Sequence, residues 1–151
     1  MPTRRQVLQV AAVAPLATLA ACSSSDQTQV TDADDAVRAE VGTGENELIK
    51  RYDATIAAYP SLAGQLRPIR DQHGEHLAAV GGSDAPVDLK GVVVPKTAAA
   101  AVNELAAAER SAANARRASC VKATGSELVW DLTLIATSES QHAAALAKGV
   151  S

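Results

Sequence analysis

The chain has 151 residues, about the length of one domain, with 47% apolar residues, 2% aromatics and no phenylalanine. A β-sandwich or barrel leans on aromatic and β-branched side chains, whereas 33 alanines with abundant Leu, Glu and Arg favour helices. A formal charge of −3 gives no basic footprint for nucleic acid, and two cysteines exclude a disulfide framework or a cysteine-rich zinc site.

The first 22 residues read as an address rather than as part of the fold. Arg4 and Arg5 precede an apolar run from Val10 to Ala21, interrupted only by Pro15 and Thr18. That run is too short to cross a bilayer as a helix, which takes about 20 apolar residues. The stretch Thr3-Arg4-Arg5-Gln6-Val7-Leu8-Gln9 resembles the twin-arginine export signal, with a general secretory signal as the alternative. Leu19-Ala20-Ala21-Cys22 is similar to a bacterial lipobox. That likeness implies removal of residues 1–21, an acyl chain such as palmitate on Cys22, and anchoring to the outer face of the cytoplasmic membrane or cell envelope. Cleavage would take away two arginines and no acids, so the mature charge becomes 12 − 17 = −5, with Cys120 as the sole free thiol. Residues 22–33 are polar and aperiodic and read as a lipidated flexible tether, leaving 34–151 as the domain.

Four helices are expected there. The first runs from about Asp34 to Tyr59, with acids at its start and a weak point at Gly42 and Gly44. The second begins at Pro60, a good first-turn residue, carries Pro68 as a point of kinking, and stops at Gly81-Gly82. Residues 81–94 lack helical periodicity. The third helix spans Pro95 to about Ala123, and the fourth follows Thr124-Gly125 and ends near Lys148.

Each helix carries an apolar stripe at helical spacing that breaks to acidic or imidazole groups. Helix 4 gives Leu128, Leu132, Ile135, Glu139, His142 and Leu146; helix 2 gives Leu62, Leu66, Ile69, His73, His76 and Val80. Helix 3 gives Val102, Leu105, Glu109, Ala112 and Arg116. Helix 1 gives Val41, Glu45, Leu48, Tyr52 and Tyr59, with Ile49 and Ile56 beside them. Burying such groups singly is costly, so a shared polar layer calls for a common cause, and metal ligation is one. Arg116 is placed to pair with a carboxylate of that layer and compete with a metal for it. Glu104 falls off the stripe as a solvated residue, Cys120 is expected as a small buried hydrophobe, and Trp130 as packing against the crossover.

Glu-x-x-His at Glu139–His142, with single carboxylates at Glu45 and Glu109 and Tyr52 seven residues after Glu45, resembles the ferritin-like carboxylate bundle. The likeness covers residues 34–148 and extends to exported ferritin-like lipoproteins of actinobacterial type. It implies one or two transition-metal ions (Fe, Mn, Zn or Cu) held by Glu45, His73, His76, Glu109, Glu139 and His142. The chain departs from the pattern at His73, where the family has Glu; Asp71 and Glu75 lie off the stripe. Ferroxidase-type chemistry loses a bridging carboxylate, and a mononuclear site becomes equally compatible.

Residue counting selects a topology. Glu45 lies 14 positions before Tyr59, His73 and His76 lie 12 and 15 after Ser61, and Glu109 lies 14 after Pro95. These levels coincide only if helices 2 and 3 run parallel. The 14 residues from Gly81 to Val94 reach about 46 Å when stretched, enough to return along a helix of about 30 Å. The expected fold is therefore an all-α four-helix bundle with a long crossover. Three functions fit: a metal-binding or redox protein of the envelope, a non-catalytic binding or scaffold lipoprotein with a degenerate site, and bis-His haem ligation without a Cys-x-x-Cys-His attachment. No nucleophilic triad, phosphate loop or zinc-protease pattern occurs, and no reaction is assigned.

Overall fold

The computed structural model describes residues 24–82 and 88–149, with side chains from residue 33 onward. Residues 1–23, which include the address and Cys22, lie outside the described residues. Four helices form the bundle: α1 (Ser24–Ala58), α2 (Ala63–Ala79), α3 (Ala98–Lys122) and α4 (Ser126–Lys148). Among the described residues no helix is long and apolar enough to cross a membrane.

The chain forms two antiparallel hairpins. Between α1 and α2 a 3-10 turn at Pro60–Leu62 reverses direction, so that Arg70 meets Asp53 near the turn and Arg38 reaches the Ala79 carbonyl at the far end. Helices α3 and α4 form the second hairpin. Its turn is tied to α1 by Asp34, whose carboxylate accepts from the Thr124 and Gly125 amides at 2.8 and 2.9 Å. Those bonds place an anion at the positive end of α4 and hold the Asp34 carboxyl below its ordinary value, chiefly through the Thr124 amide. A Cβ on Gly125 would stand 2.6 Å from the Asp34 carboxylate, so a residue without a side chain is needed at that turn.

Pairs across the two hairpins fix their relative direction. Glu40 meets Lys122, Glu45 meets Arg116, and Arg51 meets Glu104. Helix α3 is thus antiparallel to α1 and parallel to α2. The chain leaves α2 at the Arg38 end, and the Tyr59 hydroxyl donates to the Pro95 carbonyl at the opposite end. The described ends of the connection between α2 and α3 therefore lie at opposite ends of the bundle, as the crossover from residue counting requires. Thr97 caps α3 by accepting from the Ala100 amide at 3.2 Å.

Three expectations change. Helix α1 starts at Ser24, ten residues before Asp34, because extending a packed helix costs far less than nucleating a new one; the backbone of 24–33 is helical, not a flexible tether. It also runs unbroken through Gly42 and Gly44. A Cβ at Gly42 would make ordinary contact with Leu77 at 3.5 Å, whereas one at Gly44 would lie 2.7 Å from the Arg116 guanidinium, so Gly44 serves close approach. Trp130 is 64% exposed rather than packed under the crossover. Cys120 is partly buried against an apolar cluster, and α2 continues through Pro68.

Two apolar clusters fill the bundle. One, toward the Tyr59 end, contains Tyr52, Leu66, Ile69, Val102, Leu105, Ala106 and Leu146. The other, toward the Asp34 end, contains Val37, Val41, Val80, Leu128, Leu132 and Ile135. Between them lies a layer of buried charged groups.

Candidate metal centre

Glu45, His73, Glu109, Glu139 and His142 are all buried, and His76 is nearly so. Each helix supplies at least one of these, because the stripes reach the same depth once α2 and α3 run parallel. His73 stands at the middle: its Nδ1 lies 2.8 Å from Glu45 Oε2 and its Nε2 lies 2.8 Å from Glu109 Oε1. The rings of His76 and His142 stand 5.5 and 5.3 Å from that of His73. Tyr52 donates its hydroxyl to Glu109 Oε1, which burial and the neighbouring carboxylate make still harder to deprotonate. Of the six residues singled out from the sequence, Glu45, His73, His76, Glu109 and His142 gather around the His73 ring, whereas Glu139 stands beside them against Arg116 and belongs to neither ligand group.

Arg116, only 3% exposed, enters from α3. It gives two N–H bonds to Glu45 Oε1 at 3.0 and 3.2 Å, and its Nε lies 3.4 Å from Glu139 Oε1. Glu104 lies outside the layer, half-exposed and paired with Arg51. Two further residues carry no periodic signal and escape sequence reading. The Gln72 carbonyl oxygen lies 2.9 Å from His142 Nε2, and the Ser138 hydroxyl lies 3.2 Å from the same nitrogen. Ser138 sits four residues before His142, a helical neighbour spacing that would have pointed to it.

Burial works against charge on every group here, and partners decide the outcome. For His73, burial favours the neutral ring, but hydrogen bonds to Glu109 and Glu45 prevail and raise it to about 9. For Glu45, burial is outweighed by the His73 bond and the Arg116 charge, and the carboxyl lies well below its ordinary range. Glu109 is likewise brought down to about 2 by His142 and His73 despite its burial. Glu139 goes the other way: burial pushes it up to about 8, aided by Glu45 and Glu109 and opposed by Arg116. At neutral pH two cations, His73 and Arg116, thus balance two anions, Glu45 and Glu109.

These shifts set a pH profile for the protein in chelator. His73 has a raised value, so its contribution is complete below 6.5 and is lost as pH rises through about 9. Glu139, also raised, acts in the same sense, losing stability as pH climbs from 4.5 through about 8. Glu109 and Glu45 are depressed, so their contributions are present above 4.5 and fade as pH falls below it. The melting temperature should therefore peak near pH 5 and decline toward pH 9. A melting curve that climbs between pH 6.5 and 9 contradicts this balance.

The donors fit a metal ion. Two groups have ligand atoms within 4.8 Å of one another: Glu45, His73 and His76, and His73, Glu109 and His142. Several buried atoms have no hydrogen-bond partner: Glu109 Oε2, His142 Nδ1, His76 Nδ1 and both Glu139 oxygens. Glu109 Oε2 and His142 Nδ1 face each other at 3.5 Å. In the tautomer whose Nε2–H donates to the Gln72 oxygen, His142 Nδ1 carries a lone pair and meets Glu109 Oε2 with no proton between them. A cation satisfies such a pair. No family model, curated protein or solved structure matches this chain.

Proposed function

We propose that the chain is a ferritin-like lipoprotein of the cell envelope whose Glu/His layer binds one or two transition-metal ions, for metal handling or redox chemistry. The observation that carries the metal reading is the buried contact of Glu109 Oε2 with His142 Nδ1, two potential ligand atoms 3.5 Å apart that both lack hydrogen-bond partners. Imidazole and carboxylate together suit Fe, Mn, Zn and Cu. The long crossover and the placement of Glu45, Glu109 and Glu139–His142 support the ferritin-like part. An ion held there would supply a fixed positive charge, and a redox-active one an electron.

Binding to the native state alone stabilises it by RT ln(1 + [L]/Kd), about 2.7 kcal/mol at a hundredfold excess over Kd. Iron, manganese, zinc or copper should then raise the melting temperature of the mature domain by roughly 10 °C. His142→Ala and Glu109→Ala should abolish the rise, and Glu104→Ala should leave it intact. The competing reading is a non-catalytic scaffold whose layer is neutralised by Arg116 and His73 alone. It gains ground if the wild type ignores all four metals.

The envelope location rests on Arg4-Arg5, the apolar run and Leu19-Ala20-Ala21-Cys22. Cys22→Ala should move the protein from the membrane fraction to the soluble one. Undiminished membrane retention of that variant removes the lipid anchor from the proposal.

A further inference from the structure

The two ligand groups share His73, and a neutral imidazole has one N–H and one lone pair. Only one group at a time can therefore use its ring as a ligand. Three observations choose between them. The Glu45 group already has a cation beside it: Arg116 holds Glu45 Oε1 through two N–H bonds at 3.0 and 3.2 Å, in space that Gly44 leaves open. The Glu109 group holds two facing atoms that both lack hydrogen-bond partners, Glu109 Oε2 and His142 Nδ1, whereas in the Glu45 group His76 Nδ1 lacks one and the facing Glu45 Oε2 is already bonded to His73. Its second imidazole is oriented from behind by Gln72 and Ser138, as metal-bound histidines commonly are.

We infer that the centre is mononuclear, with the ion held by His73 Nε2, Glu109 and His142 Nδ1, and that Glu45 is a positioning residue rather than a ligand. In this arrangement His73 keeps its Nδ1–H, donates it to Glu45 Oε2 at 2.8 Å, and presents Nε2 to the ion in place of a proton. Arg116 steadies the outer oxygen of Glu45, forming a relay from guanidinium to carboxylate to imidazole. The guanidinium stands where a second cation would otherwise neutralise Glu45. This assignment rests on the metal-binding reading above and gives it a nuclearity and a ligand set.

Cobalt(II) is the probe, added to chelator-stripped mature protein and followed by bound-metal analysis and by its visible ligand-field spectrum. The wild type should bind one ion per chain. Glu45→Gln should still bind one, with an unchanged spectrum and an affinity about 10–100-fold weaker, as for lost outer-shell partners. Glu109→Gln and His142→Ala should lose binding or change the spectrum. Two ions per wild-type chain, or a spectrum altered by Glu45→Gln, overturns the inference while leaving the metal reading intact. No bound ion in the wild type overturns the metal reading itself, and the assignment with it. Stoichiometry in the wild type tests the nuclearity even where a variant fails to fold.

Discussion

Arg116→Ala is expected to cost about 3–5 kcal/mol in chelator-treated protein, as measured by urea or guanidinium unfolding. The side chain is almost wholly buried and is bonded twice to Glu45. Its removal leaves the Glu45 carboxylate inside the bundle with His73 as its nearest partner, and an uncompensated buried charge is far more costly than a lost surface pair. Against a total stability of about 5–15 kcal/mol for a domain, that loss is about a fifth or more of the whole. The contrast is Arg51→Ala. Its pair with Glu104 is 44% and 48% exposed, so its loss should fall below about 1 kcal/mol. Combining Arg116→Met with Glu45→Gln should recover much of the loss, since both charges leave together. A loss below about 1 kcal/mol for Arg116→Ala would mean that the guanidinium is solvated and the layer is wet.

Leu132→Ala should cost about 2–5 kcal/mol by the same measurement. Leu132 is fully buried among Val41, Val80, Leu128 and Ile135. Truncation there forfeits the transfer free energy of the lost carbons and opens a cavity that the helices cannot fully close. Leu134, two positions on and 51% exposed, should tolerate Ala within about 0.5 kcal/mol. Equal losses at the two positions would put the buried face of α4 in the wrong phase.

The sequence makes the layer legible for a physical reason. Residues that face a core recur every three or four positions, so His73, His76, Glu139 and His142 announce their depth through the leucines and isoleucines on either side. Parallel α2 and α3 follow from counting residues to the nearest turn. Other features depend on partners that periodicity does not reveal. Gly44 looks like a helix breaker until Arg116, 72 residues later, is seen to need its missing side chain. Gln72 lies on an exposed flank of α2 yet reaches His142 on α4, a contact set by the packing of two helices that are far apart in sequence. Trp130 is apolar and large, which suggests burial, but among the described residues nothing covers that flank of α4. The helical state of 24–33 is inherited from the packed part of α1, so its own composition does not announce it.

The division of the layer between hairpins bears on how accurately they meet. The first hairpin brings Glu45, Tyr52, Gln72 and His73, and the second brings Glu109, Arg116 and His142. The bonds Tyr52–Glu109, His73–Glu109, Arg116–Glu45 and Gln72–His142 all cross the seam. Half of the other buried residues of α3 are alanines, Ala101, Ala106 and Ala113, beside Val102, Leu105 and Ser119, and such small side chains offer little resistance to sliding. Displacing α3 along α1 by one turn would carry Arg116 from Glu45 to the level of Val41 or Ile49, both fully buried apolar residues, stranding charges on both sides. Alanine lets the helices come close, and the ionic layer adds a single permitted alignment to what apolar packing alone would hold.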